Sequence, residues 1–477
     1  MFHRNRPIFS MKISLNSILI TAVLAVFVFF FFAEKSGTFL SNSEAQVYLL
    51  LAVTFFALVI NSRFNNDFLE ILNTVFVIFY ICRIPFIFTS DVSSDVLQRG
   101  IDITQIHWHI SVLAFQYLSL IICILIVNPR IPRWHLDNHI SDFIFSRMLI
   151  FLFIVIIANV YLSVFVFDLH KAITSHFLSI LKTIFTIKNA LFVIIVSSLM
   201  VEKKLFLKYK YPIVFTFLLG IGATTYVGGK SSLLEIILLV YLGIVVLYGP
   251  VVFKLRGLII TVTSIFVAFM MYPIGAVSRN FQVGSSSETF MHQFHTQLFV
   301  KTTIIDWFYA ISYRIGYFDF YLEVVSNPIY EQYVNFTYYF KAVVDKLSPG
   351  FDIFNVPFMS RMLYTSYHES SSTIMNSKLV TVFGESHLLL GFFSFCLFLP
   401  LLLFFKYALL CLRTSSRLTD ALFYAFLTYI FYWWLTGMGL DMWITEMVYD
   451  GIFIFSIIIL IWFLGRREMR NTLDSLV

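Results

Sequence analysis

Residues 106–127 read IHWHISVLAFQYLSLIICILIV, an apolar run without a single Asp, Glu, Lys or Arg. A helix of about 20 such residues, rising about 1.5 Å per residue, matches the hydrocarbon thickness of a bilayer. Working outward, similar runs fall at Leu15–Phe32, Ala45–Ile60, Phe68–Phe88, Phe143–Phe167, Ile184–Val201, Pro212–Val227, Leu233–Leu247, Leu258–Ile274, Leu388–Cys411, Leu418–Leu435 and Tyr449–Phe463. The pattern predicts an all-α, polytopic integral membrane protein of about twelve transmembrane helices. Composition agrees: 59% of the 477 residues are hydrophobic and only 13% charged, about half the charge of a soluble domain.

Basic residues orient the helices. Arg4, Arg6 and Lys12, then Arg63, Arg130 with Arg133, Lys203 to Lys210, Lys254 with Arg256, Arg413 with Arg417, and Arg466, Arg467 and Arg470 fall in alternate loops. The positive-inside rule puts these loops and both termini in the cytoplasm. The first run is too long for a signal-peptide core and is read as a retained helix. Three regions follow: helices one to nine over 1–274, a large outer loop with short helices over 275–387, and helices ten to twelve with a cytoplasmic tail over 388–477. The net charge of +6 is spread over the cytoplasmic loops and does not point to nucleic acid. Cys82, Cys123, Cys396 and Cys411 sit in or beside apolar runs, without metal-ligand spacing.

The outer face gathers the candidate chemistry. No phosphate-binding glycine loop or H-E-x-x-H metal motif occurs, and Asp91 with Asp95 is a weak carboxylate pair. Arg83, Arg279, Arg314 and Arg361 fall on the outer side, with Lys230 at the tip of the tight turn Gly228-Gly229-Lys230-Ser231. Each is either an interfacial anchor or an anion ligand, and Arg314 is also placed to pair with Asp319. A guanidinium offers phosphate a fixed donor fork. His295 to Val325 carries apolar residues at helical spacing, which predicts helices at or dipping into the interface. Glu385, with His387 beside it, opens the tenth span. It is either a carboxylate favoured by the helix dipole or a general base made competent by desolvation.

The helix count, the long outer loop, the turn Gly228-Gly229-Lys230-Ser231-Ser232, Arg314-Ile315-Gly316, and Phe383-Gly384-Glu385-Ser386-His387-Leu388-Leu389-Leu390-Gly391 together resemble the Wzy-type oligosaccharide repeat-unit polymerases of O-antigen and capsule synthesis. Lys230 stands where that family often has arginine. The resemblance implies a metal-independent, cofactor-free glycosyltransferase of the bacterial inner membrane. It would join undecaprenyl-pyrophosphate-linked oligosaccharides, donor to acceptor, on the periplasmic side. A Wzz-type chain-length regulator would be its partner. Glu385, Arg314 and His387 are the implied catalytic residues, with Glu385 as base. Arg279, Lys230, Arg83 and Arg361 would bind pyrophosphate. Trp307, Tyr313 and Tyr317 either stack on sugars or belong to the interfacial aromatic belt. An O-antigen ligase has a similar layout, and a polysaccharide flippase a similar helix count. A structural membrane subunit leaves the grouped arginines unexplained.

Overall fold

The computed structural model describes residues 44–64, 66–84, 105–129, 142–161 and 203–226, and then, with breaks, 317–362 and 381–459. Among the described residues every regular element is helical. In chain order these are α1 (Glu44–Phe64), α2 (Asp67–Phe79) with a 3-10 turn (Ile81–Arg83), α3 (Ile106–Val127), α4 (Asp142–Tyr161) and α5 (Lys203–Tyr226). Then come α6 (Tyr317–Ser326), α7 (Phe336–Leu347), α8 (Val382–Leu390), a second 3-10 turn (Gly391–Ser394) and α9 (Phe395–Cys411). Residues 430–435 and 440–445 are also helical.

Ile106–Val127 and the broken helix Val382–Leu410 are long and apolar enough to cross a membrane. The exposed faces of their neighbours are apolar too: Phe55 and Phe56 on α1, Ile150 and Ile154 on α4, Val214 and Phe215 on α5, Phe404 and Tyr407 on α9. An apolar surface this extensive is what a lipid environment covers.

Helix α3 is the hub, packing against α1, α2, α6, α8 and α9, while α4 packs on α5. Leu113, Tyr117, Leu120, Ile121 and Ile124 are its buried stripe. Lipid tails are as apolar as leucine, so close packing and interhelical hydrogen bonds must hold such helices together. Both are present. The Phe76 and Tyr117 rings stack with centroids 3.7 Å apart. The Tyr117 hydroxyl donates to Asn73 Oδ1 at 2.7 Å, and Asn73 Nδ2 donates to Ala57 O at 3.3 Å, joining α3, α2 and α1. Asn66 starts α2 by accepting from the Phe68 and Leu69 N–H groups, which satisfies free donors of the first turn. Its Nδ2 also reaches Asn128 Oδ1 and Pro129 O at the end of α3.

Helix α6 is packed into the helix bundle. Phe318, Tyr321, Leu322 and Val324 are fully buried, and it packs on α3 and α8. Helix α8 runs across the 387/388 boundary that hydropathy suggested, because Glu385 and His387 lower the hydropathy without interrupting the helix. The hydropathy run is broken instead at Gly391, whose φ of +54° is a conformation that side chains with a Cβ rarely adopt. Lys230, Arg279, Arg314, Arg361, Trp307 and Tyr313 lie outside the described residues.

Candidate functional site

Helix α8 holds the two described acid–base groups. Thr381 caps it, its hydroxyl accepting from Gly384 N at 3.1 Å. Thr381 does so at φ +57°, a conformation that costs a β-branched residue about 1–3 kcal/mol. Gln116 on α3 ties down the same end. In the amide orientation that matches donors to acceptors, it donates to Phe383 O at 3.1 Å and accepts from the His387 N–H at 3.0 Å. Residues two apart on a helix point away from each other, so Glu385 and His387 meet different surroundings.

Glu385 is 2% exposed. Its Oε1 accepts from Leu440 N at 2.7 Å. One residue on, Asp441 is 0% exposed. Asp441 accepts from Met359 N at 2.7 Å and from Met442 N at 2.8 Å. Burial pushes its carboxyl up to about 6, and the Met359 and Met442 N–H groups oppose that rise. The buried Tyr339 hydroxyl faces Glu385 without completing a hydrogen bond among the described residues. Burial, then the two nearby carboxylates, push this phenol up. Asp345 closes the floor. It accepts from Phe354 N at 2.7 Å and Val356 N at 2.8 Å, which leads the chain back to Met359.

Gly439 is wedged between the two carboxylates. A Cβ there would stand 2.7 Å from Asp441 Oδ1 and 3.4 Å from Glu385 Oε1. Gly439→Ala is therefore expected to cost about 1–3 kcal/mol, the usual range for overpacking a filled site. Thermal unfolding of the purified protein measures this, and a wild-type melting temperature would show that the segment yields freely.

On the other face of α8, His387 is partly buried. Its Nδ1 lies 2.9 Å from the Tyr321 hydroxyl, which also lies 2.8 Å from His109 O on α3. The His109 and His387 ring centroids are 5.3 Å apart.

Arg83 has a different place from the expected one. It is 1% exposed against Asp319 at 2%, with Nη2 to Oδ2 at 2.8 Å. Its Nε donates to both carboxylate oxygens, at 3.0 and 2.9 Å. The guanidinium pairs with Asp319, so Arg83 ties α2 to α6. Among the described residues Arg83 is a partner of Asp319, and the Arg314 that local sequence suggested lies outside them. The Arg83–Asp319 pair joins residues 236 positions apart, a separation that local spacing does not encode.

Asp441 and Tyr321 are the site residues that sequence reasoning undervalued. In the sequence Asp441 falls between two apolar runs and Tyr321 is one aromatic among many. The available signal was polar residues within apolar helix: Asp319, Tyr321 and Glu323 share a ten-residue helix with Phe318, Leu322 and Val324. Among the described residues no group of three His, Cys, Asp or Glu is placed to hold a metal ion. No family model matches the chain, and no curated protein or solved structure matches it significantly.

Proposed function

We propose that the chain is a Wzy-type polymerase. In this reading it is an inner-membrane glycosyltransferase of about twelve helices, with cytoplasmic termini, that joins undecaprenyl-pyrophosphate-linked oligosaccharide repeat units at the periplasmic face. The observation that carries the reading is α8. This helix has the segment that resembles the family, stands at the start of a membrane-length apolar helix, and is held by polar side chains on both faces.

The chemistry needs two things. The anomeric carbon–oxygen bond to pyrophosphate breaks, its electron pair leaving with the phosphate oxygen, while the acceptor hydroxyl oxygen bonds the same carbon. Cations must neutralise the leaving group, a role for Arg279, Arg314, Arg361 and Lys230. A base must take the hydroxyl proton. The described geometry supports His387 for that step over Glu385. His387 is less deeply buried than Glu385, with no hydrogen bond engaging Nε2 among the described residues. Glu385 is enclosed and already serves Leu440 N. Glu385 then acts as the clamp that holds α8 against residues 439–442, and Asp441 ties Met359 to the same segment.

Gel analysis of surface polysaccharide from a strain lacking the protein tests the function. A polymerase deficit leaves a single repeat unit on the lipid A core. An empty core would indicate a ligase, and repeat units trapped inside the cell a flippase. Either of these results would overturn the proposal.

A further inference from the structure

We infer that Tyr321 is a positioning residue that holds neutral His387 as its Nδ1–H tautomer, leaving Nε2 as the atom that accepts a proton. The argument is one of proton accounting. The Tyr321 hydroxyl has one hydrogen and two close partners. One partner, His109 O, is a carbonyl and can only accept, so the 2.8 Å contact requires the tyrosine hydrogen. The contact to His387 at 2.9 Å must then be supplied from the ring, with Nδ1–H donating to the phenol oxygen. In a neutral imidazole only one nitrogen carries hydrogen. Nε2 is left with its lone pair.

The surroundings hold this arrangement in place. Tyr321 is fully buried on α6, and α6 is anchored two residues earlier by the Arg83–Asp319 pair. The backbone of α3 supplies the acceptor, and the backbone of His387 is held by Gln116 from the same helix. Three elements thus fix one ring. Such orientation by a hydrogen bond at the opposite nitrogen is what a histidine base requires. The role given to Nε2 in catalysis rests on the proposed function. There, the acceptor hydroxyl proton moves to Nε2 as the new glycosidic bond forms and pyrophosphate departs, and the imidazolium then loses that proton to water. The tautomer itself does not rest on that reading.

Full-length protein labelled with 15N-histidine and held in lipid nanodiscs provides the test, at about pH 8, where an ordinary histidine is neutral. The His387 signals are identified by their loss in His387→Gln. The wild type should show a protonated Nδ1 and an unprotonated Nε2, and Tyr321→Phe should lose that preference. In extension assays Tyr321→Phe should lower kcat at least about 10-fold with KM unchanged; an effect of about 10,000-fold marks a base locked in the wrong tautomer. An Nε2–H signal in the wild type, or an unchanged tautomer in Tyr321→Phe, overturns the inference. Should Tyr321→Phe fail to accumulate, the wild-type spectrum decides alone. If wild-type protein extends no chains, the function proposal falls and the spectrum still decides the tautomer.

Discussion

Arg83→Met is expected to destabilise the protein by about 3–5 kcal/mol, the usual cost of stranding one member of a buried ion pair. The basis is geometric. Arg83 closes the 3-10 turn after α2, Asp319 lies in the first turn of α6, and both are almost completely enclosed. Two Nε contacts and one Nη2 contact join them. Methionine keeps the length of the side chain and removes the charge, so Asp319 loses its contacts to the guanidinium. The double variant Arg83→Met/Asp319→Leu should regain most of the loss, because a matched apolar pair carries no desolvation cost. Both side chains make further contacts, so the recovery should be partial. Thermal unfolding and membrane abundance measure the effect. If Arg83→Met melts like the wild type, or the double variant is no better than the single, the pair is not the tie described here. Loosening α6 should also disturb His387, since Tyr321 is two residues from Asp319.

What sequence could and could not show follows from the range of each interaction. The limits of α3 match the apolar run because a polar segment precedes it and Asn128-Pro129 follows it. Helix α5 begins at Lys203, well before the hydropathy limit at Pro212. Lysines lower hydropathy without stopping a helix, and Lys208 and Lys210 each lie over a neighbouring tyrosine ring. The break at Gly391 was hidden for the opposite reason, since apolar residues flank it on both sides. Within the candidate site, Glu385 and His387 stood out as polar residues at the start of an apolar run. Their division between two faces follows from helix geometry once α8 is known to include both. The partners were not legible. Leu440 and Asp441 reach Glu385 across 55 residues and more, and Tyr321 reaches His387 across 66. No local spacing encodes those pairings.

His387→Gln is expected to lower chain extension by about 100- to 10,000-fold, the range for loss of a general base, or about 3–5 kcal/mol in the barrier. Glutamine preserves bulk and can still hydrogen-bond the Tyr321 hydroxyl, but it takes no proton at neutral pH. The matched comparison is Glu385→Gln. That side chain retains a carbonyl oxygen for the Leu440 N–H and cannot take up a proton, so a clamp survives the change and a base does not. Extension by purified Glu385→Gln should therefore stay near the wild-type level. Glu385→Ala, which strands a buried N–H, should lose about 1–3 kcal/mol of stability. Purified variants supplied with lipid-linked repeat units, with product length read on gels, separate the two assignments. Inactive Glu385→Gln together with active His387→Gln would return the base to Glu385 and make the enclosed carboxylate pair the reacting centre. That outcome would require residues 439–442 to swing away from α8 before an acceptor hydroxyl could reach it, because Leu440 N and Asp441 now fill that side of the helix.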